Sequence, residues 1–152
     1  EYHGAEHKSI YAFEAGEKLT VENAKKYTTL HPRCGTSFII TVLLFSIVIF
    51  SVIYPFLPEF SGMNIYLKKA LYIFLKIPLL FPIAGISYEF IKLSSRFQDT
   101  WWIKLFIFPG LLIQKITTKE PSDDQIEVAL ESLRAVLLKE LRLGAEIDTS
   151  IL

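Results

Sequence analysis

Twenty-four consecutive residues, Gly35 to Pro58 (GTSFIITVLLFSIVIFSVIYPFLP), carry no charge, and the flanking charges are Arg33 and Glu59. About 20 apolar residues suffice to cross the hydrocarbon core of a bilayer, so this run predicts a membrane-spanning helix. A second apolar run, Ile65 to Leu93, is interrupted by Lys76, Pro78 and Pro82 and carries Glu89 near its far end. Spanning helices tolerate proline when neighbouring groups satisfy the freed carbonyls, and a lysine there either snorkels or faces protein. The pair predicts a transmembrane hairpin over 38–93. A third apolar stretch, Trp101 to Ile113 (WWIKLFIFPGLLI), is too short to cross. Its tryptophans and Lys104 favour the membrane interface, which predicts a re-entrant or surface-lying segment within 94–120.

The polar ends show a different periodicity. Ile126, Ala129, Leu130, Leu133, Leu137 and Leu141 recur at helical spacing, with charged residues opposite them. Ser122 and Gln125 stand at capping-box positions, and Asp123 and Asp124 suit a helix N-terminus. An amphipathic helix and tail are therefore expected over 121–152, packing on the domain, a partner or the membrane surface. At the other end, YHGAEHKSIYAFEAG predicts a helix that stops near Gly16. The expected architecture is an all-α membrane protein with a helical and loop N-terminal segment over 1–37.

Composition agrees with the pattern. Of 152 residues, 51% are hydrophobic and 14% aromatic, and the mean hydropathy is +0.37, high for a soluble domain. The net charge of zero gives no global field to attract nucleic acid. A single cysteine excludes an internal disulfide. The chain opens on Glu1, as expected of a fragment or a processed chain. Basic residues flank the apolar pair: Lys8, Lys18, Lys25, Lys26 and Arg33 precede it, and Lys92, Arg96, Lys104, Lys115 and Lys119 follow it. The connecting turn has none before Lys68 and Lys69. The positive-inside rule then expects a multi-pass protein with both termini cytoplasmic.

Candidate chemistry concentrates in HGAEH. On a helix, His3 and His7 share a face, and two imidazoles four residues apart can meet one Zn²⁺. Glu6 precedes the second ligand, where it could take a proton from an activated water; H-x-x-E-H is the inverted zinc-peptidase signature. A catalytic zinc site needs a third protein ligand. Glu14 lies seven residues beyond His7, too far along the helix for the same ion and better suited to a supporting role or a second metal. His31 and Cys34, in LHPRCGTSF, have the close spacing of a chelating pair, and Pro32 holds His31 extended. With all four bound, no position is left for water and the site is structural; an open site would use three, or exchange one for a carboxylate such as Glu89. Cys34 can also be read as a nucleophile beside Arg33, or as a small buried hydrophobe. Without a metal, Arg33, Cys34 and Gly35 could bind an anion at a helix start.

YHGAEHK, HPRCGTSF, PIAGISYEF and TTKEPSDDQIEVAL together resemble the YqhQ family of bacterial membrane proteins, whose domain is of unknown function and which are described as predicted metal-dependent enzymes. The resemblance covers residues 2 to about 135, with the four motifs in order. It implies a bacterial cytoplasmic (inner) membrane location and carries His3, Glu6, His7, His31, Arg33, Cys34 and Glu89 over as site positions. It also implies a glycine-rich segment ahead of Tyr2 that this chain lacks. Two functions follow as expectations. One is a zinc-dependent hydrolase at the cytoplasmic membrane face, with Glu6 as base. The other is a non-enzymatic scaffold or assembly factor whose structural metal site accompanies docking to a membrane-protein partner or a second copy.

Overall fold

The computed structural model describes residues 1–57, 62–97 and 100–152, without the side chain of residue 95. Among the described residues every regular element is helical. The order is α1 (Tyr2–Glu14), α2 (Val21–Lys25), α3 (Gly35–Ile53), α4 (Ile65–Arg96), α5 (Trp101–Thr117) and α6 (Asp123–Arg142), with single 3₁₀ turns at Tyr54–Phe56 and Thr149–Ile151. The middle of the turn expected between the two apolar runs, 58–61, lies outside the described residues. Contacts divide the chain into two units, 1–31 with 111–152, and 32–110, the division falling inside α5 after Gly110.

In the first unit α1 packs on α6. Ala5, Ser9 and Ala12 lie on one side of α1 and are fully buried or nearly so. Small side chains there let α6 approach closely and insert Ile126, Leu130 and Leu137, which are at most 6% exposed. Each such side chain contributes about 1.5–3 kcal/mol by leaving water. Of the surfaces open to α6, it is α1 that it packs against. α1 ends where Gly16 adopts φ +68°, a conformation that side chains with a Cβ resist. α6 starts at the anticipated cap, the Gln125 side chain accepting from the Ser122 backbone N–H at 2.9 Å.

Gly4 marks a second close approach. A methyl group built there would collide with the backbone carbonyl oxygen of Lys119 and lie 3.1 Å from Cγ2 of Thr29. Gly4→Ala is therefore expected to destabilise this unit by about 1–2 kcal/mol, the overpacking outweighing the helix-propensity gain. Gly85→Ala, where a methyl meets nothing within 4 Å, should not. Thermal unfolding of the purified variants checks both.

In the second unit α3 packs on α4. The buried positions of this pair include Ser37, Thr41, Ser46, Ser87 and Ser94 beside Ile83 and Ile91, whereas Ile39, Ile47, Val48, Val52, Phe74 and Phe81 are each more than half exposed. Hydroxyl groups that face inward bond back along their own helix, Thr41 to the Ser37 carbonyl at 2.9 Å and Ser87 to the Ile83 carbonyl at 2.8 Å. A water-soluble bundle more often buries its large apolar residues and exposes the hydroxyls. Both helices are long and apolar enough to cross a membrane, over Gly35–Phe56 and Ile65–Ser94. Pro78 and Pro82 sit inside α4 without ending it. Lys76 holds its ammonium 5.1 Å from the Phe50 ring centroid, so it meets an aromatic face of α3.

Candidate metal centre

The side of α1 away from α6 carries His3, His7, Tyr11 and Glu14, spaced three or four residues apart so that they stack along one stripe. Opposite them runs the segment after α2. Its carbonyls are taken in succession by α1: Lys8 Nζ donates to Tyr27 O at 2.6 Å, His7 Nδ1 to Thr29 O at 2.5 Å, and the Tyr11 hydroxyl to Leu30 O at 3.1 Å. This zipper ends at His31, whose ring lies 4.7 Å from that of Tyr11 and 5.5 Å from that of His7. His3 and His7 are 4.5 Å apart, centroid to centroid. Three imidazoles thus form one cluster with His7 at its middle.

The rings are oriented by partners. A carbonyl only accepts, so the contacts of His7 with Thr29 O and of His3 with Thr117 O (3.3 Å) place the proton on Nδ1. Glu14 Oε2 lies 3.6 Å from Nε2 of His31. The backbone of His31 is clamped by the Gln114 side chain, which accepts from the His31 N–H at 2.7 Å and donates to the His31 carbonyl at 2.7 Å. Gln114 is completely buried. Lys8 is buried too, and its ammonium pairs with Glu120 at 2.7 Å. The donor chemistry fits a borderline divalent metal. Histidine ligands are held in this way, one ring nitrogen tied to a carbonyl or carboxylate so that the other is turned to the ion.

His7 titrates below the ordinary histidine value. Burial dominates, the Thr29 hydrogen bond opposes it, and the charges of His3 and His31 lower it further. The unfolded chain then holds more protons than the folded one between that lowered value and about 6.5, so stability rises with pH through the window. Metal-free protein is expected to lose stability as pH falls from about 6.5, the loss being complete below the folded value, and His7→Gln to flatten that slope. Melting temperature against pH measures it.

The other expected site residues are arranged differently. Glu6 is exposed and lines an apolar groove between α1 and α6, with Ile10, Val128, Leu133 and Val136. Cys34 belongs to the second unit, where it is the N-cap residue of α3 and its Sγ lies 3.2 Å from the Thr36 hydroxyl. Arg33 borders an open cavity with Phe38, Tyr88 and Lys92. Glu89 is exposed on α4 with Lys92 and Arg96 beside it. Sequence reasoning missed Gln114, Lys8 and Tyr11. Gln114 could have been found, as the lone amide in an apolar helix, where an unpaired polar group would be costly.

The described residues define an all-helical protein with an apolar helix pair and a cluster of three histidines. The family model described as "Protein of unknown function (DUF1385)" matches residues 1–139, and the chain belongs to that family. It is 39% identical over 140 residues to "Uncharacterized protein YqhQ" of Bacillus subtilis (strain 168), a match that covers 92% of this chain. The chain spans 41% of the length of that relative. No solved structure matches.

Proposed function

We propose that this chain is a membrane-anchored metal-binding protein in which His3, His7 and His31 hold a divalent transition metal, Zn²⁺ by donor type. The observation that carries the reading is the cluster itself, two imidazoles with ring centroids 4.5 and 5.5 Å from that of His7, and all three rings with a nitrogen near a carbonyl or a carboxylate. Cys34, three residues past His31 in sequence, is the fourth donor the chain offers. Four such ligands make a closed, structural site. The position of Glu6 on the α1–α6 groove supports that form over a catalytic one, and Glu89, with two cationic neighbours on its own helix, is left out of the set. The inverted burial of α3 and α4 supports the bilayer as their surroundings. The charge pattern supports cytoplasmic termini in the bacterial inner membrane.

A zinc-dependent hydrolase is the second reading, favoured by one observation: His3, Glu6 and His7 all lie on the single helix α1. Bound Zn²⁺ would supply Lewis acidity toward water, and Glu6 would take the proton. Cobalt(II) substitution separates the two forms. A four-coordinate spectrum with thiolate charge transfer, lost in Cys34→Ser, is expected of the closed site. A five- or six-coordinate spectrum that is unchanged in Cys34→Ser would favour the hydrolase. Retention of the chain in alkali-extracted membranes checks the bilayer half.

A further inference from the structure

Within the second unit, an open cavity of about 400 Å³ is lined by Arg33, Gly35, Phe38, Tyr88, Ile91 and Lys92. Its chemistry is divided. Phe38, Ile91 and the ring of Tyr88 give an apolar wall, and Arg33 and Lys92 give two cationic side chains, both exposed. Arg96 lies one turn beyond Lys92, and among the described residues the carboxylate of Glu89 stands beside these two cations. Gly35 opens α3, and the positive end of that helix dipole adds to the same sign.

The cavity's position along the helices gives the division a meaning. Gly35 is the first residue of one apolar stretch, and Lys92 lies two residues before the end of the other, at Ser94. The cationic groups therefore stand where both helices would leave the hydrocarbon, and Phe38 and Ile91 lie on its apolar side. Tyr88 in the wall of the cavity and Ile39, next to Phe38 in sequence, are 59% and 65% exposed.

We infer that this cavity binds an anionic phospholipid, with the phosphate held by Arg33 and Lys92 and an acyl chain laid along Phe38 and Ile91. The inference rests on the bilayer placement of α3 and α4 proposed above. Arginine presents a planar fork matched to phosphate oxygens, and lysine adds a mobile point charge. Basic pockets between spanning helices recognise lipid head groups in this way. A free phosphate ion shares the charge requirement but has no use for the apolar wall.

The test uses the full chain solubilised in mild detergent, with phosphatidylglycerol, phosphatidylcholine and inorganic phosphate as probes and native mass spectrometry as readout. Wild type is expected to retain phosphatidylglycerol over phosphatidylcholine by about 10–30-fold, from two cationic contacts. Arg33→Gln with Lys92→Gln should bring the two lipids close to parity. Arg33→Lys should keep most of the preference, and Lys68→Gln with Lys69→Gln, at the other end of α4, should keep all of it. Parity in wild type, or an undiminished preference in the Arg33/Lys92 double variant, would overturn the lipid site. Displacement of the lipid by millimolar inorganic phosphate would also overturn it, naming free phosphate as the ligand. Alkaline extraction of the same membranes separates the two levels: a chain that is released refutes the bilayer reading, whereas one retained without lipid preference refutes this site alone.

Discussion

Purified without chelator, the chain should carry close to one equivalent of a divalent transition metal, and His7→Ala should strip it. The expectation follows from the central place of His7. Its ring is the one that neighbours both other imidazoles, at 4.5 and 5.5 Å, and it is 3% exposed. Its Nδ1 proton is committed to Thr29 O, which leaves the lone pair on Nε2 for an ion. Burial already favours the neutral, ligating form of the ring. Disturbing a supporting hydrogen bond around a metal ligand costs about 10–100-fold in affinity, and removing a ligand costs more. Glu6→Gln, which alters no imidazole, should leave the metal in place. Elemental analysis of the three proteins gives the answer. Wild type without stoichiometric metal would end the proposal, as would a fully loaded His7→Ala protein.

The parts of the molecule that sequence made legible are those with a local cause. α3 and α4 follow from the length of their apolar runs, α6 from its 3.6-residue period and cap, and the end of α1 from Gly16. The pairing of α1 with α6 has no such signature, because an amphipathic stripe specifies a buried face and not the surface that buries it. The small residues of α1, Ala5, Ser9 and Ala12, read as bland until α6 is seen against them. The same holds for the histidines. His3 and His7 are linked by helix geometry, whereas the approach of His31 depends on carbonyls 27, 29 and 30 meeting Lys8, His7 and Tyr11. The length of the Trp101–Ile113 stretch, its tryptophans and Lys104 point to a re-entrant or surface-lying segment, and carry no sign of where its helix ends. In the fold α5 continues past Pro109 to Thr117, and its last turns supply Gln114 and the Thr117 carbonyl to the cluster.

Gln114→Leu should loosen the segment that ends in His31 and weaken metal binding without touching a ligand. Leucine is similar in volume to the amide, so little cavity is created, but the Gln114 side chain accepts from and donates to one residue's backbone, 83 positions away in sequence. Leucine leaves the His31 N–H and carbonyl without that partner in a site where the amide has no solvent exposure. An unsatisfied buried polar group costs about 1–3 kcal/mol, and two cost roughly 2–6 kcal/mol. Two kcal/mol is already about a 30-fold change in a local opening equilibrium. Hydrogen exchange of peptides spanning 27–34 should therefore accelerate by at least about that factor, while peptides from α3 and α4 beyond Phe38 stay as in wild type. Metal affinity should fall in parallel, because an ion that binds the ordered cluster must then supply the free energy of ordering it. Unchanged exchange would show that the clamp is dispensable. Accelerated exchange with undiminished affinity would remove His31 from the ligand set and leave its place to another donor.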